Sequence, residues 1–503
     1  MKVCDINDYP LNLPPAFLAA SGLEPVSDTQ GRHDGKAPGE RYLIEASAGT
    51  GKTYTITHLI LRLVLMGVPV RRILVTTFSK AAADELKTRI LKLLNREFRK
   101  RKPNSKQKTG SDAAATGKRK RENDAVPEQE DLFLFAERQK ERFFLQLAVS
   151  SIDEMTVSTI HGFCQKMLRE YALKSGNGFE TELVPDESEY RDRLIRRYCR
   201  NRFYGGDAWT KESFETLRKA AKFASDPVDR DSAEGEALDE KQTLCRDVYR
   251  YVRKELQAEK DKDGVISYDD IIRDFDAVLQ KDDSLAESIR SQYMAVFVDE
   301  FQDTDRLQYR IFDKCFPKGC PNIFYMIGDP KQAIYGFRGA DIYTYLQAKN
   351  TANDQFTLIG NFRSSPSMIE AVNRMFSDGD LNAPHETNGV FLQKDIPFIS
   401  VQPGAPGDFP GNPGGSLRLR HYIGIKSDCA PEIMDDVVRE IRYLLSEDCT
   451  MQVFEEQDDD DDDDEGEEKE EKPKIPRHLR ASDIAILVQT HDQAAELVKR
   501  LNM

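Results

Sequence analysis

The 503-residue sequence has no apolar run as long as a transmembrane helix requires, and its N-terminus, MKVCDINDYP, lacks a signal peptide's apolar region. It has no C-x-x-C pair. Its eight cysteines are scattered, with only Cys315 and Cys320 close together, so neither a zinc knuckle nor a disulfide framework is indicated. No internal repeat is visible. These absences predict a globular protein of a reducing, cytoplasmic compartment with no membrane partner. At 39% hydrophobic and 32% charged residues, the length suits two to four domains. The net charge of −15 is local in origin: residues 455–471 hold fourteen acids and one lysine, and Arg99 to Arg121 hold ten basic residues and one acid. Both runs are expected to be solvated loops. The overall acidity therefore does not argue against a nucleic-acid partner, and the basic run can add salt-sensitive affinity for a phosphate backbone.

The stretch that organises the chain is YLIEASAGTGKT, Tyr42 to Thr53. Tyr42-Leu43-Ile44 reads as a buried strand, the glycine-rich turn follows, and TYTITHLILRLVL has apolar residues at helical spacing. That context supports a phosphate loop over Ala46, Ser47, Ala48, Gly49, Thr50, Gly51, Lys52 and Thr53. Glycines let backbone N–H groups face phosphate oxygens, and the helix N-terminus adds partial positive charge. Lys52 would neutralise the β/γ-phosphates of ATP, and the Thr53 hydroxyl would ligate Mg²⁺. Ala46 stands where the first glycine of G-x-x-x-x-G-K-[ST] is usual. The competing reading is a glycine-rich turn that binds nothing.

Further along, Arg72 to Phe78 reads as a second core strand, with Ser79 as N-cap of the helix KAAADELKTRILKLL. A disordered basic insertion is expected at 99–125. Helical spacing resumes over LFLFAERQKERFFLQLAV, and Met155 to Ile160 reads as a short strand followed by a helix. Residues 176–264 read as an inserted helical subdomain, and the core resumes near Tyr268. Ala295 to Val298 is an apolar strand ending on Asp299-Glu300, and Ile323 to Ile327 is another. Alternating strands and helices after a phosphate loop predict an α/β fold with a parallel sheet covered on both faces. A leader is expected over 1–40, and the α/β core over 41–175 and 265–355. A second α/β unit is expected over 356–503, opening on the strand Phe356 to Ile359, with an acidic loop at 455–472 and a strand at Asp483 to Val488.

Asp299 can hold Mg²⁺ opposite Thr53, and Glu300 can polarise the water that attacks the γ-phosphate. Alone, these acids would more simply cap a strand or helix. Together with the phosphate loop they suggest phosphoryl transfer to water.

The segments ASAGTGKT, VTTFSKAAADEL, TIHGFCQKML, VDEFQDTDRLQYRIF, IGDPKQAIYGFRGAD and NFRSSPSMIEAVN stand in the order of the superfamily 1A helicase motifs. The chain resembles the UvrD-like helicases, with a pattern similar to RecB-type subunits of helicase–nucleases, well over about 41–380 and weakly beyond. The resemblance implies a RecA-like P-loop NTPase fold with a second, incomplete RecA-like domain, and Ala46 is usual within it. It implies an ATP-dependent translocase on single-stranded DNA that unwinds duplexes with 3′–5′ polarity in double-strand-break repair, alongside RecC- and RecD-like partners. It assigns Gln332 to sensing the γ-phosphate, Arg363 to an arginine finger and Phe362 to adenine stacking, where Tyr or Trp is usual. It places Phe78, Thr159, His161, Tyr335, Phe337 and Arg338 in the single-strand groove, where aromatics stack on bases and polar groups hold phosphates. Core packing remains the alternative for Phe78 and Phe337, and a surface ion pair for Arg363. Two later motifs of the family and a nuclease domain are missing from the sequence. An ATP- and DNA-binding fragment with little turnover of its own is therefore the alternative function. An unrelated P-loop kinase is a third reading, against which the DEFQD and GDPKQ segments count.

Overall fold

The computed structural model describes residues 40–101, 129–171, 182–184, 186–202, 211–221, 240–334, 341–377, 396–404, 417–424, 426–454 and 476–502. Packing divides the chain into two units, Met1–Ala46 with Lys52–Thr357, and Ser47–Gly51 with Leu358–Met503. The expected leader, most of the basic insertion and the acidic loop lie outside the described residues.

In the first unit the strands are β1 (Arg41–Ala46), β2 (Ile73–Thr77) and β3 (Thr156–Thr159), then β4 (Glu182–Val184) and β5 (Val265–Ser267), then β6 (Ala295–Val298), β7 (Ile323–Gly328) and β8 (Asp354–Leu358). Six of them form one sheet in the order β3-β2-β6-β7-β1-β8. The pairs β3/β2, β2/β6, β6/β7 and β7/β1 are all parallel. Every residue of β1, β2, β6 and β7 is buried. This is why these strands read as nearly unbroken apolar runs rather than as alternating patterns.

Pleating sends alternate side chains to opposite faces. Leu43, Leu74, Val296, Val298, Phe324 and Met326 join a core with Phe163, Phe275, Ile289 and Phe312 from the helices Ile160–Glu170, Tyr268–Lys281, Asp283–Gln292 and Arg306–Cys315. In the intervening register, Tyr42 stacks on Tyr325 at 4.9 Å, Tyr325 on Phe297 at 5.5 Å, and Tyr42 meets Phe356 at 6.1 Å. This aromatic row crosses four adjacent strands. It includes Phe356, so the segment expected to open the second unit instead closes the first sheet. The Asn353 N–H donates to the Arg41 carbonyl at 2.8 Å just ahead of β8.

Helix starts follow local chemistry. Ser79 Oγ accepts from the Ala82 N–H, Thr159 Oγ1 from the Gly162 N–H, and Ser267 forms a capping box with Asp270. The helix from Lys80 runs on to Lys100, taking in the first residues of the basic run, and Arg101 pairs with Glu97 and Glu141. Packing of Tyr190, Leu194, Ile195, Leu217, Val248, Val252 and Leu256 gives the helices Ser188–Arg202, Lys211–Ala221 and Glu240–Asp263 a core of their own. Strands β4 and β5 pair in parallel where the chain enters and leaves this helical insert. Beside them Lys260, 1% exposed, is held by the carboxylates of Glu187 and Asp270.

The second unit contains β9 (Gly360–Asn361) paired with β10 (Gln402–Pro403), β11 (Gln452–Phe454) paired with β12 (Pro476–His478), and the helices Pro366–Phe376, Lys426–Leu444 and His491–Leu501. The strand expected over Asp483 to Val488 does not form: a short 3-10 turn covers Ala481–Asp483, and Leu487 beyond it is 97% exposed. An apolar run becomes a strand only where a neighbour satisfies its backbone groups, and 484–488 has no ladder partner among the described residues. No membrane-length apolar helix occurs among the described residues. The described cysteines form no disulfide, Cys315 and Cys320 included.

Candidate nucleotide site

Strands β6, β7 and β1 are parallel neighbours, so the loops 299–303 and 329–332 and the end of β1 at Ala46 come side by side. This is the edge at which open α/β sheets bind ligands. The loop after β1 turns through Gly49 and Gly51 at φ 79° and 90°, backbone that non-glycine residues adopt at a cost. Thr50 closes the turn, donating from both N and Oγ1 to the Ser47 carbonyl at 3.2 and 2.7 Å. The helix that follows, Lys52–Leu65, has no acid in its first turn, so its positive end is not neutralised locally. Thr53 lies on that first turn.

Lys52 Nζ donates to Glu300 Oε2 at 2.7 Å. Glu300 has the left-handed backbone φ 50°, the one such non-glycine residue among those described. That conformation turns the chain sharply off β6, and its N–H donates to Asp299 Oδ1 at 2.9 Å. Asp299 Oδ2 accepts no hydrogen bond from a described residue. Burial, then the Glu300 charge, push the Asp299 carboxyl up to about 6, with Lys52 opposing. At neutral pH it is therefore ionised. One free carboxylate oxygen and the Thr53 hydroxyl are hard oxygen donors, the set that suits Mg²⁺ completed by phosphate and water. No cluster of three or more acid, histidine or cysteine side chains suited to a metal ion occurs among the described residues.

Gln332 Nε2 donates to Asp329 Oδ2 at 2.8 Å, and Lys331 Nζ meets Asp329 Oδ1 at 2.7 Å. In the second unit Asn361 Nδ2 donates to the Ala48 carbonyl at 3.0 Å and the Phe362 N–H to the Gly49 carbonyl at 2.8 Å. Asn361 Oδ1 accepts from the N–H groups of Arg363 and Ser364. A Cβ at Gly49 would lie 2.7 Å from both Arg363 Cβ and Asn361 Oδ1, so only glycine permits this approach. Phe362, 64% exposed, rests its ring on the backbone of Gly360 and Gly404.

Residues 28–353 match the family model of the UvrD/REP helicase N-terminal domain. The chain belongs to this family. It is 28% identical to the RecBCD enzyme subunit RecB of Escherichia coli K12, over 92% of this chain and 47% of that protein. It is 30% identical to the subunit of the same name from Mycobacterium tuberculosis H37Rv, over 68% of this chain and 30% of that one. The Haemophilus influenzae subunit is 28% identical, over 71% and 41%. The chain thus spans less than half the length of these relatives.

In this member of the UvrD/REP helicase family, the residues expected to touch DNA divide. Phe78 is 40% exposed just past β2. Thr159 caps the next helix through its hydroxyl, and the His161 ring stands edge-on to Tyr268 at 5.6 Å. Burial lowers the His161 pKa, which keeps the ring neutral at physiological pH. Tyr335, Phe337 and Arg338 lie outside the described residues. Sequence reasoning passed over Gln302 and Asn361, both buried and both tied to site loops. Asn361 carried a signal, a polar residue between Ile359 and Phe362, whereas Gln302 carried none, since it lies among the acids of DEFQDTD.

Proposed function

We propose that the chain is an ATP-dependent DNA translocase and helicase, working 3′–5′ on single strands in the processing of DNA double-strand breaks. One observation carries the reading most. Lys52 and Glu300, 248 positions apart, meet at 2.7 Å at the end of the sheet, which brings together a cation for the β/γ-phosphates and a carboxylate for the attacking water, the two groups ATP hydrolysis needs. The backbone of 47–53 and Lys52 bind the phosphates. Mg²⁺ held by Thr53 and Asp299 would neutralise charge on the β- and γ-phosphates. Glu300 accepts the proton of the attacking water, Gln332 answers to the γ-phosphate, Arg363 offsets transition-state charge and Phe362 stacks on the adenine. Phe78, Thr159, His161, Tyr335, Phe337 and Arg338 form the single-strand groove. RecC- and RecD-like subunits are the expected partners and the cytoplasm the expected compartment, in keeping with the RecBCD subunits the chain is similar to.

The test compares three proteins for Mg·ATP binding and hydrolysis. Wild type should bind and hydrolyse. Glu300→Gln should bind while losing turnover by about 10²–10⁴-fold, and Lys52→Ala should lose binding. Equal hydrolysis by all three would contradict the reading. A second reading, an ATP- and DNA-binding chain with little turnover, is favoured by the exposed coil at 484–488, which leaves the second unit short of a strand. Binding without hydrolysis in wild type would support it.

A further inference from the structure

Gln302 follows Glu300 by two residues and is 2% exposed, yet both ends of its amide are used. Nε2 donates to Glu300 Oε2 at 2.7 Å and, more weakly, to Asp303 Oδ2 at 3.4 Å. Oε1 accepts from the Asp329 backbone N–H at 3.0 Å. The partners fix the amide's orientation, since flipping it would set oxygen against two carboxylates and a donor against an N–H. The neighbouring strand end leaves room for it: a Cβ at Gly328 would collide with Gln302 Oε1. A buried polar side chain satisfied at every turn is rigid, and it transmits that rigidity to what it holds.

What it holds is one oxygen of the residue assigned to activate water. Lys52 Nζ and Gln302 Nε2 converge on Glu300 Oε2, while Oε1 accepts no hydrogen bond from a described residue. A carboxylate pinned through one oxygen presents the other in a fixed direction. Lys52 is also the cation the loop offers to a β/γ-phosphate, and a phosphate that draws it off leaves Gln302 as the remaining donor to Oε2. We propose that Gln302 is a positioning residue for ATP hydrolysis: it anchors Glu300 Oε2 to the turn at Asp329, so that Oε1 receives the proton of the attacking water. This rests on the reading of Glu300 as the base.

Gln302→Met keeps the length of the side chain, gives Glu300 no donor and adds no charge beside Glu300 and Asp303. Steady-state ATP hydrolysis and binding of a fluorescent ATP analogue are measured on the full chain, with kcat expressed per analogue-binding site so that unfolded protein does not enter the rate. Misplacing a reacting group by an ångström costs on the order of a hundredfold. The expected result is a kcat per site lower by about tenfold to a hundredfold, with KM for ATP and analogue affinity little changed. Wild-type kcat per site in Gln302→Met would overturn the proposal, as would a loss of kcat matched by lost affinity. A wild-type chain that turns over no ATP would remove the reading of Glu300 and this inference together. Hydrolysis that Glu300→Gln abolishes but Gln302→Met leaves intact would remove this inference alone.

Discussion

At the scale of single residues, the acids after β6 are distinguished by what neutralises them. Glu300 has Lys52 and Gln302, whereas Asp303 has a single long contact from Gln302 and a buried Oδ1 without a hydrogen-bond partner. Burial, and then the Glu300 charge, push the Asp303 carboxyl up to about 6. The folded protein therefore holds this proton more tightly than the unfolded chain does. The carboxyl begins to cost stability as pH rises through the ordinary aspartate range near 4, and the full cost stands above about 6. Asp303→Asn should raise the melting temperature by roughly one to three degrees at pH 8 and leave it unchanged at pH 4. A gain of the same size at both values, or a loss at pH 8, would contradict the assignment. Gly49 is constrained from both sides, by its φ of 79° and by the approach of Asn361 and Arg363. Gly49→Ala should cost about 1–3 kcal/mol in urea unfolding and weaken binding of an ATP analogue. Wild-type values of both would show that the close approach is not needed.

At the scale of elements, the helical insert is joined to the motor sheet at one buried ionic point. Lys260 lies between Glu187, ahead of the insert's first helix, and Asp270, in the first turn of the helix after β5. Removing the cation leaves Glu187 with Arg191 and Asp270 with Arg273, so what is lost is a charged hydrogen bond to each carboxylate rather than all of their neutralisation. Lys260→Ala should lower stability by roughly 1.5–3 kcal/mol in urea unfolding, and an unchanged midpoint would deny the junction this role. The pairing was not legible in the sequence, because its members lie 73 and 10 positions apart and nothing local marks them. What was legible is local: the apolar runs of β1, β2, β6 and β7, and the cap at Ser79. The placement of β8 escaped, since it depends on Tyr42 meeting Phe356 and on Arg41 accepting from Asn353. The 483–488 run misled for the converse reason, having strand-like residues and no ladder partner among those described. At the candidate site, the sequence indicated which loops carry Lys52, Asp299 and Glu300. The bonds made by Gln302 and Asn361 are long-range and needed the structure.

At the scale of the whole molecule, charge is segregated along the chain. Residues 102–121 carry seven basic side chains beyond the end of the Lys80–Lys100 helix, while Arg101 is already engaged with Glu97 and Glu141. A neutral linker in place of 102–121 should weaken single-stranded DNA binding at low salt and flatten the dependence of log Kd on log[salt]. At high salt the two proteins should bind alike, and an unchanged slope would exclude the run from the interface. The central claim concerns the joining of nucleotide and strand in one chain. It is tested most directly by the rate of ATP hydrolysis by the purified chain with and without single-stranded DNA, with Glu300→Gln measured in parallel. The account predicts turnover that rises when the strand is added and disappears in Glu300→Gln. Turnover indifferent to DNA, or surviving in Glu300→Gln, would contradict it.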